Sequence, residues 1–281
     1  MIPRRNLSLL SNRLARAGGR RIPEAVLERD YCLAWFLVAL SRTPLRERLA
    51  FKGGTALKQC YFADFRFSED LDFTLTTETP FERIRQELDR VFAETQRGSG
   101  IVFRFAREDP NPHANSYTFY LGYEGPLPAP AAGREVKVDI TIREHLAFPL
   151  VQRPILRGYE EYADLPDGVA LEVYSLDEIA AEKVVALMDR ARNEPRDLYD
   201  TWYLVAGGHV NLAVLVQAIE QKWEFRGRTL ADVRKEFRAK EIRYRRLWKP
   251  RLAAQITSLP EFVQVYRTVQ RALRQAGLLG S

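Results

Sequence analysis

Alternating polar and apolar residues, the mark of half-buried strands, run through the chain only as far as residue 174. Beyond that point the apolar residues recur at helical spacing. Strands and helices separated in this way predict an α+β fold, with an α+β domain over 1–174 that includes N-terminal helices and an all-helical domain over 175–281. In the first part, helices are expected over 24–41, from Pro44, over 55–61 and over 80–96. Strands are expected at 49–52, 71–75, 101–107, 116–123 and 135–142, and 169–174 reads as a strand or the run into a helix. The loop 124–133 is rich in Pro, Gly and Ala. In the second part, Ser175 and Glu178 form a capping-box pattern that opens a helix over 176–191, and helices follow near 196–206, 211–222, 229–253 and 260–276.

Several classes of function lose their support. The longest apolar run, Tyr31 to Leu40, is too short to cross a bilayer, and the N-terminal arginines precede no apolar signal segment. Cys32 and Cys60 lie in apolar surroundings, which points to a reducing compartment, the cytoplasm, and against a disulfide framework. Three scattered histidines, His113, His145 and His209, cannot build a Cys/His zinc site. The HExxH, GxSxG and GxxxxGK[ST] motifs are absent.

Charge is divided sharply along the chain. Residues 1–21 hold six arginines and no acid, 22–221 hold 22 basic and 32 acidic residues, and 222–251 hold 12 basic and 4 acidic. An acidic middle between basic ends predicts a metal or catalytic centre flanked by a polyanion-binding surface. In 222–251, Trp223, Phe225, Tyr244 and Trp248 interleave with the cations, an arrangement that could bind an RNA backbone and stack on bases, or could simply be amphipathic helices with aromatics inward.

The acids of the middle carry the chemistry. Asp70 and Asp72 are one residue apart, so on a strand both carboxylates share a face while Leu71 and Phe73 turn to the core. Carboxylates this close repel, and a hard divalent cation such as Mg²⁺ relieves the cost. In Glu135-Val-Lys-Val-Asp-Ile-Thr141 the valines and Ile140 face the core, which leaves Asp139 on the opposite side as the third acid. Three carboxylates from two strands can hold two Mg²⁺ ions about 4 Å apart for in-line phosphoryl chemistry. Gly53-Gly54, just before a helix, lets backbone approach a phosphate, with Thr55, Arg66 and Ser68 as further donors.

Lys183 falls inside the apolar stripe Leu176, Ile179, Ala180, Val184 and Leu187. A lysine there is costly unless its ammonium meets an anion, either a triphosphate or a nearby acid. Asp197 and Asp200, three apart, share a helix face.

The combination resembles the nucleotidyltransferase superfamily with the DNA polymerase β-type fold and, within it, the AbiEii toxin family that includes the MenT toxins. The likeness runs over residues 22–205. It rests on Ile22-Pro-Glu, Glu28-Arg-Asp-Tyr31, Phe51-Lys-Gly-Gly-Thr-Ala-Leu57, Arg66-Phe-Ser-Glu-Asp-Leu-Asp72, Val138-Asp-Ile140, Glu182-Lys183 and Arg196-Asp-Leu-Tyr-Asp200. The resemblance implies a mixed sheet flanked by helices and a helical domain that completes the nucleotide site. It implies that Lys183 meets the nucleotide phosphates and that Asp197 and Asp200, supported by Arg196, belong to the active site. It further implies a bacterial toxin–antitoxin or phage-defence role with an antitoxin encoded nearby, and transfer of NMP, often a pyrimidine nucleotide, from an NTP to the 3′ acceptor end of tRNA. The alternatives are a protein or small-molecule acceptor, or a module that binds nucleotide or RNA without catalysis. Nothing in the sequence requires more than a monomer.

Overall fold

A computed structural model describes residues 1–18, 20–111, 113–128 and 133–280, so residues 129–132 of the Pro- and Ala-rich loop lie outside the described residues. The chain divides into two compact units. The first comprises 1–144, 150–173 and 254–257, and the second comprises 145–149, 174–253 and 258–280.

The first unit is built on a seven-stranded mixed sheet. Its strands are β1 (Leu49–Lys52), β2 (Leu71–Leu75), β3 (Val102–Glu108), β4 (Ser116–Glu124), β5 (Glu135–Thr141), β6 (Leu150–Pro154) and β7 (Ala170–Tyr174), in the order β3-β4-β5-β2-β1-β7-β6. β2 runs antiparallel to β1 and parallel to β5, and β4 runs antiparallel to both β3 and β5. β6 carries no signal in the sequence: it is only five residues long, at the sheet edge, and Leu-Val-Gln-Arg-Pro does not alternate apolar with polar.

The period-two pattern sets the faces. Leu71, Phe73, Val136, Val138, Ile140, Phe119 and Leu121 are all buried, and the Phe51 and Phe73 rings lie 5.2 Å apart across the β1–β2 pair. The long helices of this unit are α1 (Arg4–Gly18), α2 (Glu24–Ser41) and α3 (Phe81–Ser99). α2 packs against both α1 and α3, and it is buried on nearly every side from Leu27 to Ser41, which explains its ten-residue apolar run.

The acids of the Glu28-Arg-Asp-Tyr31 stretch are therefore structural. Glu28, fully buried, accepts from the Leu127 amide at 2.7 Å and pairs with Arg134 at 2.9 Å. Asp30 accepts from Gln59 at 2.8 Å and Tyr162 at 3.2 Å, and burial pushes its carboxyl above the usual range.

The second unit is helical: α4 (Leu176–Met188), α5 (Pro195–Ala206), α6 (Val216–Phe225), α7 (Glu241–Leu252) and α8 (Phe262–Gln275), with short turns between. Two expectations are corrected here. Ser175 caps α4 by accepting from the Glu178 amide, but Glu178 does not reach back to complete a capping box. Its carboxylate instead accepts from the Ala147 and Phe148 amides at 3.0 and 2.9 Å and meets Lys222 at 2.6 Å.

The single helix expected over 229–253 is broken into Leu230–Val233, Glu236–Ala239 and α7. The breaks turn Phe237 and Lys240 inward. Phe237 stacks on Tyr266 at 5.0 Å, and the Lys240 ammonium donates to the Ala186, Leu187 and Asp189 carbonyls at the C-terminal end of α4. There it neutralises the negative end of the helix dipole, while burial pulls its pKa down to about 8. Both cysteines are free and buried. Among the described residues no helix is long and apolar enough to cross a membrane.

Candidate active site

In the first unit the motif residues gather on the polar face of the sheet. β2 and β5 are parallel and in register, with Asp72 opposite Asp139. Both carboxylates belong to the face opposite Phe73 and Ile140, as their alternation predicts. β1 adds Lys52 opposite Asp72 on the other side. Its ammonium, nearly buried, donates to Thr141 Oγ1 at 3.0 Å. β4 adds Thr118 opposite Asp139, and Lys137 lies 3.4 Å from the Asp139 carboxylate. A lysine, two aspartates and a threonine thus line neighbouring strands.

Lys52 is the residue that sequence reading missed. Its only signal was its place immediately before Gly53-Gly54.

The glycine pair closes on these acids. Gly53 has φ +78°, and a Cβ there would sit 2.5 Å from Asp72 Oδ2. A Cβ on Gly54 would meet Arg66 Nη2 at 2.5 Å and Ser68 Oγ at 3.3 Å. Glycine is therefore demanded twice, by backbone conformation at 53 and by close packing at both positions. Gly53→Ala is expected to lower the rate of the transfer that the resemblance implies roughly a hundredfold, as displacement of a reacting group by about an ångström does, with a melting shift of only a few degrees. A transfer rate within threefold of wild type would refute this packing argument.

After Gly53–Ala56 the helix widens into a π-type turn over Leu57–Tyr61, rather than continuing as the single helix expected. Thr55, buried, donates its hydroxyl to the Asp70 carbonyl. That bond uses the donor expected to face a phosphate, and it ties the glycine turn to the start of β2. Arg66 is equally buried. Its guanidinium donates to the Phe67 carbonyl at 3.2 Å and the Gln255 side chain at 3.5 Å, and the Phe67 amide donates to the Gln255 carbonyl at 2.9 Å. The Lys58 ammonium, held by the Ala63 carbonyl and the Tyr159 hydroxyl, fixes the other side of this segment and lies 4.7 Å from the centre of the Phe67 ring.

The donor set suits a hard cation, since Asp72 and Asp139 offer carboxylate oxygens from adjacent strands. Asp70 stands one residue ahead of β2. Among the described residues no three His, Cys, Asp or Glu side chains converge as a ready-made metal cluster. Asp72 and Asp139 are brought to facing register positions, with Asp70 at the entrance to the same strand.

In the second unit Lys183 projects into a buried cluster on α4 and α5. Its ammonium lies 2.8 Å from Asp197 Oδ1 and 2.8 Å from Asp200 Oδ2, and Arg192 Nε meets Asp197 Oδ2 at 2.6 Å. Asp197 and Asp200 share a helix face, as their spacing predicts, and both are buried. Although burial alone would raise it, the Lys183 and Arg192 cations hold the Asp197 carboxyl well below the usual carboxylate range. The lysine in the apolar stripe is thus satisfied by acids of its own unit. Arg196 stands beside them in the first turn of α5.

The aromatics of 222–251 take the inward of the two arrangements open to them. Trp223, Tyr244 and Trp248 are core residues, and of the four only Phe225 is exposed. Trp248 Nε1 donates to the Pro260 carbonyl at 2.9 Å. Lys222 and Lys240 are also buried, so two of the twelve cations serve the interior.

A family model described as the nucleotidyl transferase AbiEii toxin of type IV toxin–antitoxin systems matches residues 35–275. The chain belongs to the AbiEii family. It is accordingly a nucleotidyltransferase toxin, and such a system implies a cognate antitoxin. The AbiEii match extends beyond the motif-bearing segment through α8.

Two solved structures share the fold. MenT4, a nucleotidyltransferase toxin of Mycobacterium tuberculosis H37Rv, is 19% identical with a TM-score of 0.56, covering 96% of this chain and 90% of that one. JHP933 from Helicobacter pylori is 17% identical with a TM-score of 0.54, covering 91% of this chain and 93% of that one. No curated protein matches the sequence with comparable significance.

Proposed function

We propose that this AbiEii protein transfers NMP from an NTP, with Mg²⁺, to the 3′ acceptor end of tRNA in the cytoplasm, and so blocks translation until an antitoxin intervenes. The pairing of Asp72 with Asp139 across parallel strands carries the reading. Two carboxylates of this kind repel, and a hard divalent cation shared between them relieves that cost beyond what the single contact of Lys137 with Asp139 supplies. Asp70, Asp72 and Asp139 would hold two Mg²⁺ ions, which when bound neutralise the triphosphate and acidify the attacking hydroxyl.

The chain's own groups position the reactants. Gly53 and Gly54 let backbone approach the phosphates, while Arg66 and Ser68 pack against that turn and Thr55 anchors it to Asp70. Lys52 sets a positive charge beside Asp72. Asp139 accepts the proton of the attacking hydroxyl, and attack at the α-phosphate releases pyrophosphate. Lys183, Arg196, Asp197 and Asp200 are the candidate nucleotide contacts of the second unit. Positioning and charge neutralisation supply most of the acceleration in this chemistry.

The test is incorporation of each α-³²P-labelled NTP into total tRNA. Label in tRNA that disappears in EDTA and returns with excess Mg²⁺ is the expected result, with a pyrimidine lane the strongest. Activity undiminished in EDTA would overturn the metal assignment, and label confined to protein would overturn the acceptor.

A further inference from the structure

The buried aromatics leave the cations of the second unit in an unexpected setting. α8 contains no Asp or Glu. Its buried row, Phe262, Val265, Tyr266, Val269 and Leu273, is opposed by Arg267, Arg271 and Arg274, all exposed and spaced at i, i+4 and i+7. That spacing places three guanidinium groups in one stripe about 10 Å long.

α7 repeats the arrangement. Tyr244, Trp248 and Leu252 turn inward, while Arg243, Arg246 and Lys249 are exposed. The one acid of α7, Glu241, is taken by Arg245 at 3.0 Å. The helices meet where Trp248 packs edge-on against Phe262 at 5.7 Å. Among the described residues none of these six cations has an ion-pair partner, while their neighbour Arg245 pairs with Glu241.

We propose that the solvent faces of α7 and α8 dock the phosphate backbone of double-stranded RNA, a surface that rests on the RNA-acceptor reading above and names the part of the RNA it holds. A duplex carries one negative charge per about 1.7 Å of its axis, a density that regular rows of unpaired cations match and the scattered acids of a protein partner do not. Single strands are held by stacking bases on aromatic rings, and every ring of α7 and α8 faces the core. Duplex RNA is recognised through phosphates and shape, which needs only such cations. Binding is therefore indifferent to sequence and steeply dependent on salt.

The test is fluorescence anisotropy of the full chain with a labelled RNA duplex of about 16 base pairs, and with oligouridylate, from 50 to 200 mM salt and without nucleotide. The duplex is expected to bind more tightly than the single strand. In the triple variant Arg267→Gln, Arg271→Gln, Arg274→Gln, the slope of log affinity against log salt should be shallower by about 2.7. Over that fourfold rise in salt the wild type should then lose roughly 40-fold more affinity than the variant. All three sites are exposed and glutamine is a good helix former, so the melting temperature should hold.

An unchanged slope, no duplex binding at 50 mM salt, or tighter binding of oligouridylate would overturn the proposal. So would loss of binding to a co-expressed antitoxin with the RNA slope unchanged. The failure of the two readings is distinguishable. Incorporation of NMP into RNA without duplex binding sinks the surface alone, and duplex binding without incorporation sinks the transfer reading alone.

Discussion

Replacing Asp72 by asparagine is expected to lower nucleotide transfer by roughly a thousandfold or more, with the fold intact. Asparagine keeps the shape and removes the charge. On the sheet, Asp72 stands between Lys52 on β1 and Asp139 on β5, so it is the acid through which the polar face is organised. Loss of one preorganised electrostatic group costs about 10²–10³ in rate on its own, and loss of a metal ligand adds to it. Asp72 is only partly buried, so relieving its repulsion with Asp139 should leave the melting temperature level or slightly raised. The checks are labelled-nucleotide incorporation and a thermal melt on the same preparation. Transfer within tenfold of wild type would show that the polar face is not the catalytic face. The matching Asp139→Asn variant separates a local effect at Asp72 from the pair.

The largest effect on stability is expected at Lys222. Its ammonium is completely buried, 2.6 Å from the equally buried Glu178 and 2.8 Å from the His145 carbonyl, with Glu182 at 3.7 Å. Lys222→Met keeps the length of the side chain and strands the Glu178 carboxylate with only the Ala147 and Phe148 amides. Breaking a buried pair from one side costs about 3–5 kcal/mol, because the remaining charge has no partner and no water. A drop of roughly 6–20 °C in melting temperature follows. Restoring most of it with the double variant Lys222→Met, Glu178→Gln would assign the cost to the stranded charge. A single variant that melts within two degrees of wild type would show that the pair does not hold the helical unit.

Part of this protein is written in local patterns. Leu71-Asp-Phe-Thr-Leu75 and Glu135–Thr141 declare which side chains face inward because a strand has a period of two, and that period alone put Asp72 and Asp139 on a polar face. The stripe of α4 was legible for the same reason, with a period of 3.6, and α2 by its unbroken apolar run. The glycine pair announced a turn, and the spacing of Asp197 and Asp200 announced a shared face.

What the tertiary structure decided is which long-range partner each polar group found. Lys183 needs an anion wherever it is buried, and the fold of α5 brings it Asp197 and Asp200. The hydroxyl of Thr55 and the carboxylate of Glu178 were each open to several partners, and the chosen ones lie 15 residues away in one case and about 30 in the other. The tryptophans of 222–251 could have faced outward or inward, since an amphipathic pattern dense in arginine is ambiguous until a second helix covers one side. Periodicity along a chain fixes the direction of a side chain, and only packing between distant segments fixes what it meets there.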